Sequence, residues 1–248
     1  MTNSLVNIIL LTLVGDVVGF FGGLVLIWNE KLTKKYSLYL ISFAAGVILA
    51  IAFLDILPEA YKAGGESAFF LTLVGMVSFY LIENFLLHLH HHEGDEHPLD
   101  TTVPLILVSD AIHNFIDGVA IAIAYMASPK LGVVVALATL FHEIPKETGD
   151  LAVLLASGMK KSKAIFYNLL TALVSLMGAV FAFYLVNVTE NLIGPMLGIA
   201  AGMFLYVASS DILPQLIHGQ KRELRWKISG FFLSGIALIV LLTKLIPE

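Results

Sequence analysis

Ala44–Pro58 reads AAGVILAIAFLDILP and Ala200–Pro214 reads AAGMFLYVASSDILP; nine of the fifteen positions are identical, including the closing Asp-Ile-Leu-Pro. Two apolar, small-residue stretches that share an acid and a proline in one register read as a duplicated helical segment. Each lies in a run long enough to cross a bilayer, which takes roughly 20 mostly apolar residues. Outward from these two, the chain divides into eight such runs: about Leu5–Ile27, Ser37–Leu57, Ala68–Leu89, Thr102–Met126, Gly132–Leu155, Lys163–Val186, Leu192–Leu213 and Trp226–Leu245. The breaks between them hold most of the charge, the pair Gly64-Gly65 and most of the prolines. The expectation is an all-α, polytopic integral membrane protein with eight transmembrane helices in a single domain, residues 1–248.

Composition agrees. The chain is 58% hydrophobic and 13% charged, whereas soluble proteins carry about 25% charged residues. One soluble core of this length cannot hide so much apolar surface, so the bilayer is the expected surrounding. A net charge of −5 argues against nucleic acid as a partner. The absence of cysteine excludes disulfides and thiolate ligands, leaving imidazole, carboxylate, amide and backbone oxygen for any metal. Met1–Ser4 lacks the basic region of a cleaved signal peptide, so the first run is read as a retained span.

Basic loops stay in the cytoplasm. Lys31, Lys34, Lys35, Lys160, Lys161, Lys163, Lys221, Arg222, Arg225 and Lys227 share one side, ten against three (Lys62, Lys130, Lys244) on the other. Both termini are therefore expected outside the cytoplasm. The duplicated spans 2 and 7 then run in opposite directions. That predicts an inverted repeat of spans 1–3 against spans 6–8 around spans 4 and 5, a 3+2+3 arrangement of the kind secondary transporters use.

Ionisable groups are expensive inside a membrane and normally line a pathway or pair with one another. Here they concentrate in His113-Asn114-Phe115-Ile116-Asp117-Gly118 of span 4 and His142-Glu143-Ile144-Pro145-Lys146-Glu147 of span 5. His113, Asn114 and Asp117 share one helix face, while His142 stands over Lys146 and Glu143 over Glu147. Neutral imidazole with carboxylate and amide oxygen suits a borderline divalent ion such as Zn²⁺. Ligands on two facing helices also converge without exposing irregular backbone to lipid. Pro145 frees the carbonyl of Phe141 and kinks span 5 beside the ligands. A purely structural polar network accounts less well for two His, one Asn, one Asp and two Glu in two short stretches. The expected function is transmembrane transport of a divalent transition metal. The alternative is an intramembrane metal-dependent hydrolase, but the HExxH pattern of zinc peptidases fails at Lys146, so no enzyme is expected.

These stretches resemble the signature of the ZIP (Zrt/Irt-like) metal-transporter family, HNFxDG in span 4 and HExPHE in span 5. The likeness extends to Leu57-Pro58-Glu59, Gly149-Asp150, the eight spans with outside termini and a His-rich third loop. It implies that His113, Asn114, Asp117, His142 and Glu143 bind metal, with Lys146, Glu147, Asp110 and Asp55 close by. It also implies zinc as the first-choice cargo, with iron, manganese or cadmium as alternatives, and no resident cofactor. Uptake toward the cytoplasm through a plasma (cell inner) membrane, a homodimer, and movement of spans 1, 4, 5 and 6 as an elevator follow from the same kinship. The family often has two adjacent metal sites there. Lys146 departs from the pattern, and three readings stand open: a fixed charge replacing one metal, a pair with Asp150, or a proton given up as metal arrives.

Other polar features are secondary. His88, His90, His91, His92 and His97, with Glu93, Asp95 and Glu96, make a cytoplasmic loop over about residues 88–100 that is suited to loose metal binding. Asp55 and Asp211 close the duplicated spans, where Asp55 either hands on metal or pairs near the surface. Asp16, Glu83 and Asp110 also fall inside spans; Glu83 is expected to snorkel to the interface and Asp110 to support the span-4 ligands. Gly19, Gly22 and Gly23, with Gly198 and Gly202, are read as sites of close helix packing.

Overall fold

Every element among the described residues of this computed structural model, 2–88, 98–217 and 222–245, is helical. Helices keep all backbone hydrogen bonds within one segment, which suits a chain so apolar on its outside. The order is α1 (Asn3–Ile27), α2 (Tyr36–Gly64), α3 (Ser67–His88), α4 (Pro98–Ala127), α5 (Pro129–Ala156), α6 (Lys161–Val186), α7 (Ile193–Ser210) and α8 (Arg222–Leu245). Seven of them, all but α5, contain stretches long and apolar enough to cross a membrane. The sequence expectation is eight spans, the fifth at about Gly132–Leu155. α5 is long enough at 28 residues, but Glu143, Lys146, Glu147 and Asp150 fall within positions 143–150 and dilute its apolar character. Glu143 and Glu147 are buried, and Lys146 and Asp150 line a cavity.

The helices pair as α1 with α5, α4 with α5 and α6, α2 with α8, α3 with α7, and α2 with α5. Exchanging 1 with 6, 2 with 7, 3 with 8 and 4 with 5 turns α3–α7 into α8–α2 and α4–α6 into α5–α1. The duplicated stretches share a local irregularity too. A π turn at Ala52–Ile56 and another at Val207–Ile212 each run straight into a Leu-Pro. α1 carries a π turn at Leu13–Val17, and α6 is interrupted at Leu173 between Ala172 and Val174.

Reciprocal glycines set how closely three of these pairs approach. A Cβ on Gly118 would strike the carbonyl of Ser175 in α6, and one on Gly178 would strike the carbonyl of Phe115 in α4. Gly46 and Gly235 do the same between α2 and α8, as do Gly75 and Gly202 between α3 and α7. In α1, a Cβ on Gly19 would lie 2.7 Å from Cβ of Glu143, and one on Gly23 would lie 2.8 Å from Cβ of Glu147. Small residues let helices meet where the hydrophobic effect offers no drive for them to do so.

The largest buried apolar cluster contains Ala120, Ile121, Ile123, Ala124, Val134, Val135, Ala138, Leu197 and Ala201. It fills the half of the bundle nearer the α4–α5 connection. Large side chains such as Phe21, Val25, Phe70, Leu73, Phe166, Met177 and Leu233 point outward and are exposed.

Candidate metal centre

α4 and α5 bring four donors to one point. His113 and Asp117 lie one turn apart on α4, and His142 and Glu143 sit where α5 crosses them. One ligand atom from each lies within 4.8 Å of every other. Nε2 of His113 and Nε2 of His142 are 3.3 Å apart. Asp117 Oδ2 is 3.4 Å from the first and 3.1 Å from the second. Glu143 Oε1 is 3.6 Å and 3.4 Å from the same two nitrogens. Four ligands held tetrahedrally at about 2.0–2.1 Å from zinc stand roughly 3.3–3.4 Å from each other. Five of the six edges here run from 3.1 to 3.6 Å.

The surroundings fix this arrangement. Nδ1 of His142 donates to the carbonyl of Ala138 at 3.1 Å, which leaves the Nε2 lone pair of the neutral ring aimed at the other donors. Phe79 meets His113 edge-on and Phe204 meets His142 likewise. Asp117, His142 and Glu143 are buried, and His113 is 13% exposed on its side chain. Gly19 admits the stem of Glu143 against α1.

Asn114 is arranged differently. Its Nδ2 donates to Asp110 Oδ1 at 3.0 Å, and its Oδ1 accepts from Lys146 Nζ at 3.3 Å. Lys146 also donates to Asp110 Oδ1 at 2.5 Å and stands 3.1 Å from Glu143 Oε1. Of the three readings of Lys146, the pair with Asp150 is not the one observed; the ammonium lies between Asp110, Asn114 and Glu143. A positive charge so placed stands beside the four-donor group and shares Glu143 with it.

One turn further along α5, Glu147 is buried and accepts a hydrogen bond from Asn168 of α6. Sequence reading missed Asn168, whose only signal was an isolated amide in an apolar span. Asp55 accepts from Thr243 Oγ1 at 3.0 and 3.2 Å, the pairing alternative rather than a contact with the centre. Glu83 lines a cavity and keeps one carboxylate oxygen buried without a hydrogen-bond partner. His88 ends α3, while His90, His91, His92 and His97 lie outside the described residues.

That cavity, of about 380 Å³, starts at His113 and His142 and continues past Asp110, Lys146 and Asp150 to Glu83 and Ile41. Its wall is built from the halves of α2, α3, α4, α5 and α7 on the same side as the basic α1–α2, α5–α6 and α7–α8 connections.

The family profile described as ZIP Zinc transporter matches residues 3–104 and 94–243, nearly the whole chain. This chain belongs to the ZIP family. The family member zinc transporter ZIP13 of Pongo abelii is 32% identical over 221 residues, 82% of this chain and 65% of that protein. Zinc transporter ZIP10 of Danio rerio is 39% identical over 136 residues, and ZIP10 of Homo sapiens is 41% identical over 115. Those matches cover 54% and 46% of this ZIP chain but only 16% and 14% of the two longer proteins. These relatives are named as transporters and lend no support to the hydrolase alternative.

Proposed function

We propose that this chain carries divalent transition-metal ions, zinc first, across a membrane toward the cytoplasm, with His113, Asp117, His142 and Glu143 as the ligands of one transported ion. The observation that carries this reading is the spacing of the four donor atoms, which matches the edges of a zinc tetrahedron. Two imidazoles and two carboxylates also cancel the charge of a divalent ion where water is excluded. Asn114 then holds Lys146 and Asp110 in place beside the ligands, and Lys146 supplies the fixed charge that a second metal supplies elsewhere in the family. α5 serves as the fifth of eight spans in the 3+2+3 inverted arrangement, its charged face turned inward.

Movement toward the cytoplasm is what kinship with the family implies; the cavity and the basic loops bear only on which side the centre opens to. Positive-inside orientation puts the Lys and Arg cluster in the cytoplasm, so the cavity leads from the metal centre to that side, while the apolar cluster closes the other. α1, α4, α5 and α6 pack on one another around the centre, and α2 with α8 and α3 with α7 form the remaining pairs. This division suits a block that slides as a unit.

Purified protein in liposomes, with ⁶⁵Zn²⁺ outside, tests the reading. Wild-type protein gives saturable uptake that competing Cd²⁺, Fe²⁺ and Mn²⁺ reduce in an order the assay defines, and Asp117→Ala abolishes it without unfolding the helices. Normal uptake by Asp117→Ala would remove the four-donor group from the pathway.

A further inference from the structure

Glu147 of α5 and Asn168 of α6 are both fully buried and meet each other. Asn168 Nδ2 donates to Glu147 Oε2, and the two remaining polar atoms of the pair, Glu147 Oε1 and Asn168 Oδ1, have no hydrogen-bond partner. The hydroxyls next along each helix are committed to backbone. Thr148 Oγ1 donates to the carbonyl of Ile144 at 2.7 Å, and Thr171 Oγ1 donates to the carbonyl of Asn168 at 2.8 Å. The charged groups facing Glu147 are Lys146, Glu143 and Asp150 of its own helix and Asp110 of α4. On the α1 side it meets Gly23, and on the α6 side Asn168. Lys146 is already bound to Asp110 and Glu143.

A buried carboxylate with a single amide donor, faced by three acids and one committed cation, is strongly disfavoured in its charged form. The two orphan oxygens add the loss of the hydrogen bonds that water gave them. One proton removes all of these faults. On Oε1 it makes the acid neutral, turns that oxygen from an orphan acceptor into a donor, and supplies the donor that Asn168 Oδ1 lacks. The carboxyl and amide groups already touch along one edge. Both end in broad sp³–sp² torsions, which let the second edge close into a ring of two hydrogen bonds. Turning the amide over would set Oδ1 against Oε2 and would call for the proton all the same. A metal ion answers less well: a Cβ on Gly23 would lie 2.8 Å from Cβ of Glu147, so the α1 backbone packs on the Glu147 stem, and a proton adds no volume.

We propose that Glu147 is a proton-binding site, its carboxyl protonated on Oε1 and sharing that proton with Asn168 Oδ1 whether the four-donor group is empty or filled. The pair is then a neutral link that ties α5 to α6, and no unmatched charge at position 147 travels with these helices. Glu147 is a positioning residue, neither a metal ligand nor a partner of Lys146. The assignment does not rest on the carrier reading above.

Infrared difference spectra of the purified full chain in lipid, wild type minus Glu147→Gln, test the site. Wild type should show the carbonyl stretch of a protonated, hydrogen-bonded carboxyl across the neutral pH range, before and after one equivalent of Zn²⁺. The band should be missing from Glu147→Gln and displaced in Asn168→Leu, which takes the amide away. Thermal unfolding gives the second readout. Glu147→Gln should keep the wild-type midpoint, because its amide N–H stands where the proton stood, whereas Glu147→Leu and Asn168→Leu should melt several degrees lower. A difference spectrum with carboxylate bands only, or a carbonyl band that zinc abolishes, overturns the proposal. So does Glu147→Gln melting as low as Glu147→Leu. Should Asn168→Leu fail to fold, the comparison of wild type with Glu147→Gln decides alone. None of these measurements involves transport, so a chain that moved no zinc would sink the carrier reading and leave this site standing.

Discussion

Lys146 gives this centre its individuality at the scale of single residues. Its ammonium bridges Asp110 and Glu143, so removing it leaves two buried carboxylates facing one another without compensation. Breaking one partner of a buried pair typically costs about 3–5 kcal/mol. Lys146→Glu is therefore predicted to destabilise the metal-free protein and to create room for a second cation: zinc stoichiometry, measured by elemental analysis after equilibrium dialysis, rises from one to two per chain. A stoichiometry still at one would mean that the ammonium does not stand in for a metal. Asn114, which orients Lys146 and Asp110 rather than joining the four converging donors, behaves as a supporting residue. Asn114→Ala should weaken zinc binding about 10–100-fold, read by competition with a chromophoric chelator, whereas His142→Ala removes a ligand outright and should weaken it further. Of the four converging donors, His113 and Asp117 were legible as one helix face because they stand i, i+4, whereas His142 and Glu143 are adjacent and were picked out by the resemblance of their motif. The partners of Lys146 were not legible, because they depend on how α4 and α5 cross, and Asn168, an isolated amide in an apolar span, gave no pattern at all.

At the scale of elements, carbonyls rather than side chains set the helix contacts. A Cβ at Gly118 meets the backbone of Ser175, and backbone cannot step aside. Gly118→Val should push α4 from α6 and cost about 1–3 kcal/mol or more, as over-packing does. Gly149→Ala, in the same protein, meets nothing within 4 Å and should stabilise α5 by roughly 0.5–1 kcal/mol through helix propensity. Thermal unfolding in detergent separates the two, one midpoint falling and the other rising; equal shifts would contradict the packing account. Gly19, Gly22, Gly23, Gly198 and Gly202 stood out in the sequence because they cluster in apolar helices. The reciprocal pairs Gly46–Gly235, Gly75–Gly202 and Gly118–Gly178 did not, since each spans two distant helices. α5 shows the opposite limit: its length was readable, but its charged face makes it less apolar than its neighbours.

For the whole molecule, each duplicated Asp-Ile-Leu-Pro stretch lies on a π turn, and the pairings α3–α7 and α4–α6 have counterparts in α2–α8 and α1–α5. The cavity and the buried apolar cluster opposite it were not foretold, because which half of a bundle packs tightly depends on side chains from five helices at once. The natural absence of cysteine makes accessibility simple to read. Ser109→Cys, exposed on the cavity wall, should react with a membrane-impermeant maleimide applied from the side of the basic loops, and Ala124→Cys, within the buried cluster, should not. Equal labelling from both sides would contradict a pathway closed at one end. One zinc ion gathered by two imidazoles and two carboxylates is what zinc K-edge X-ray absorption of protein loaded with one equivalent tests directly. The predicted spectrum has a four-coordinate shell at about 2.0 Å with imidazole scattering from two histidines, halved in His113→Ala; an all-oxygen, six-coordinate shell that is unchanged in that variant would contradict it.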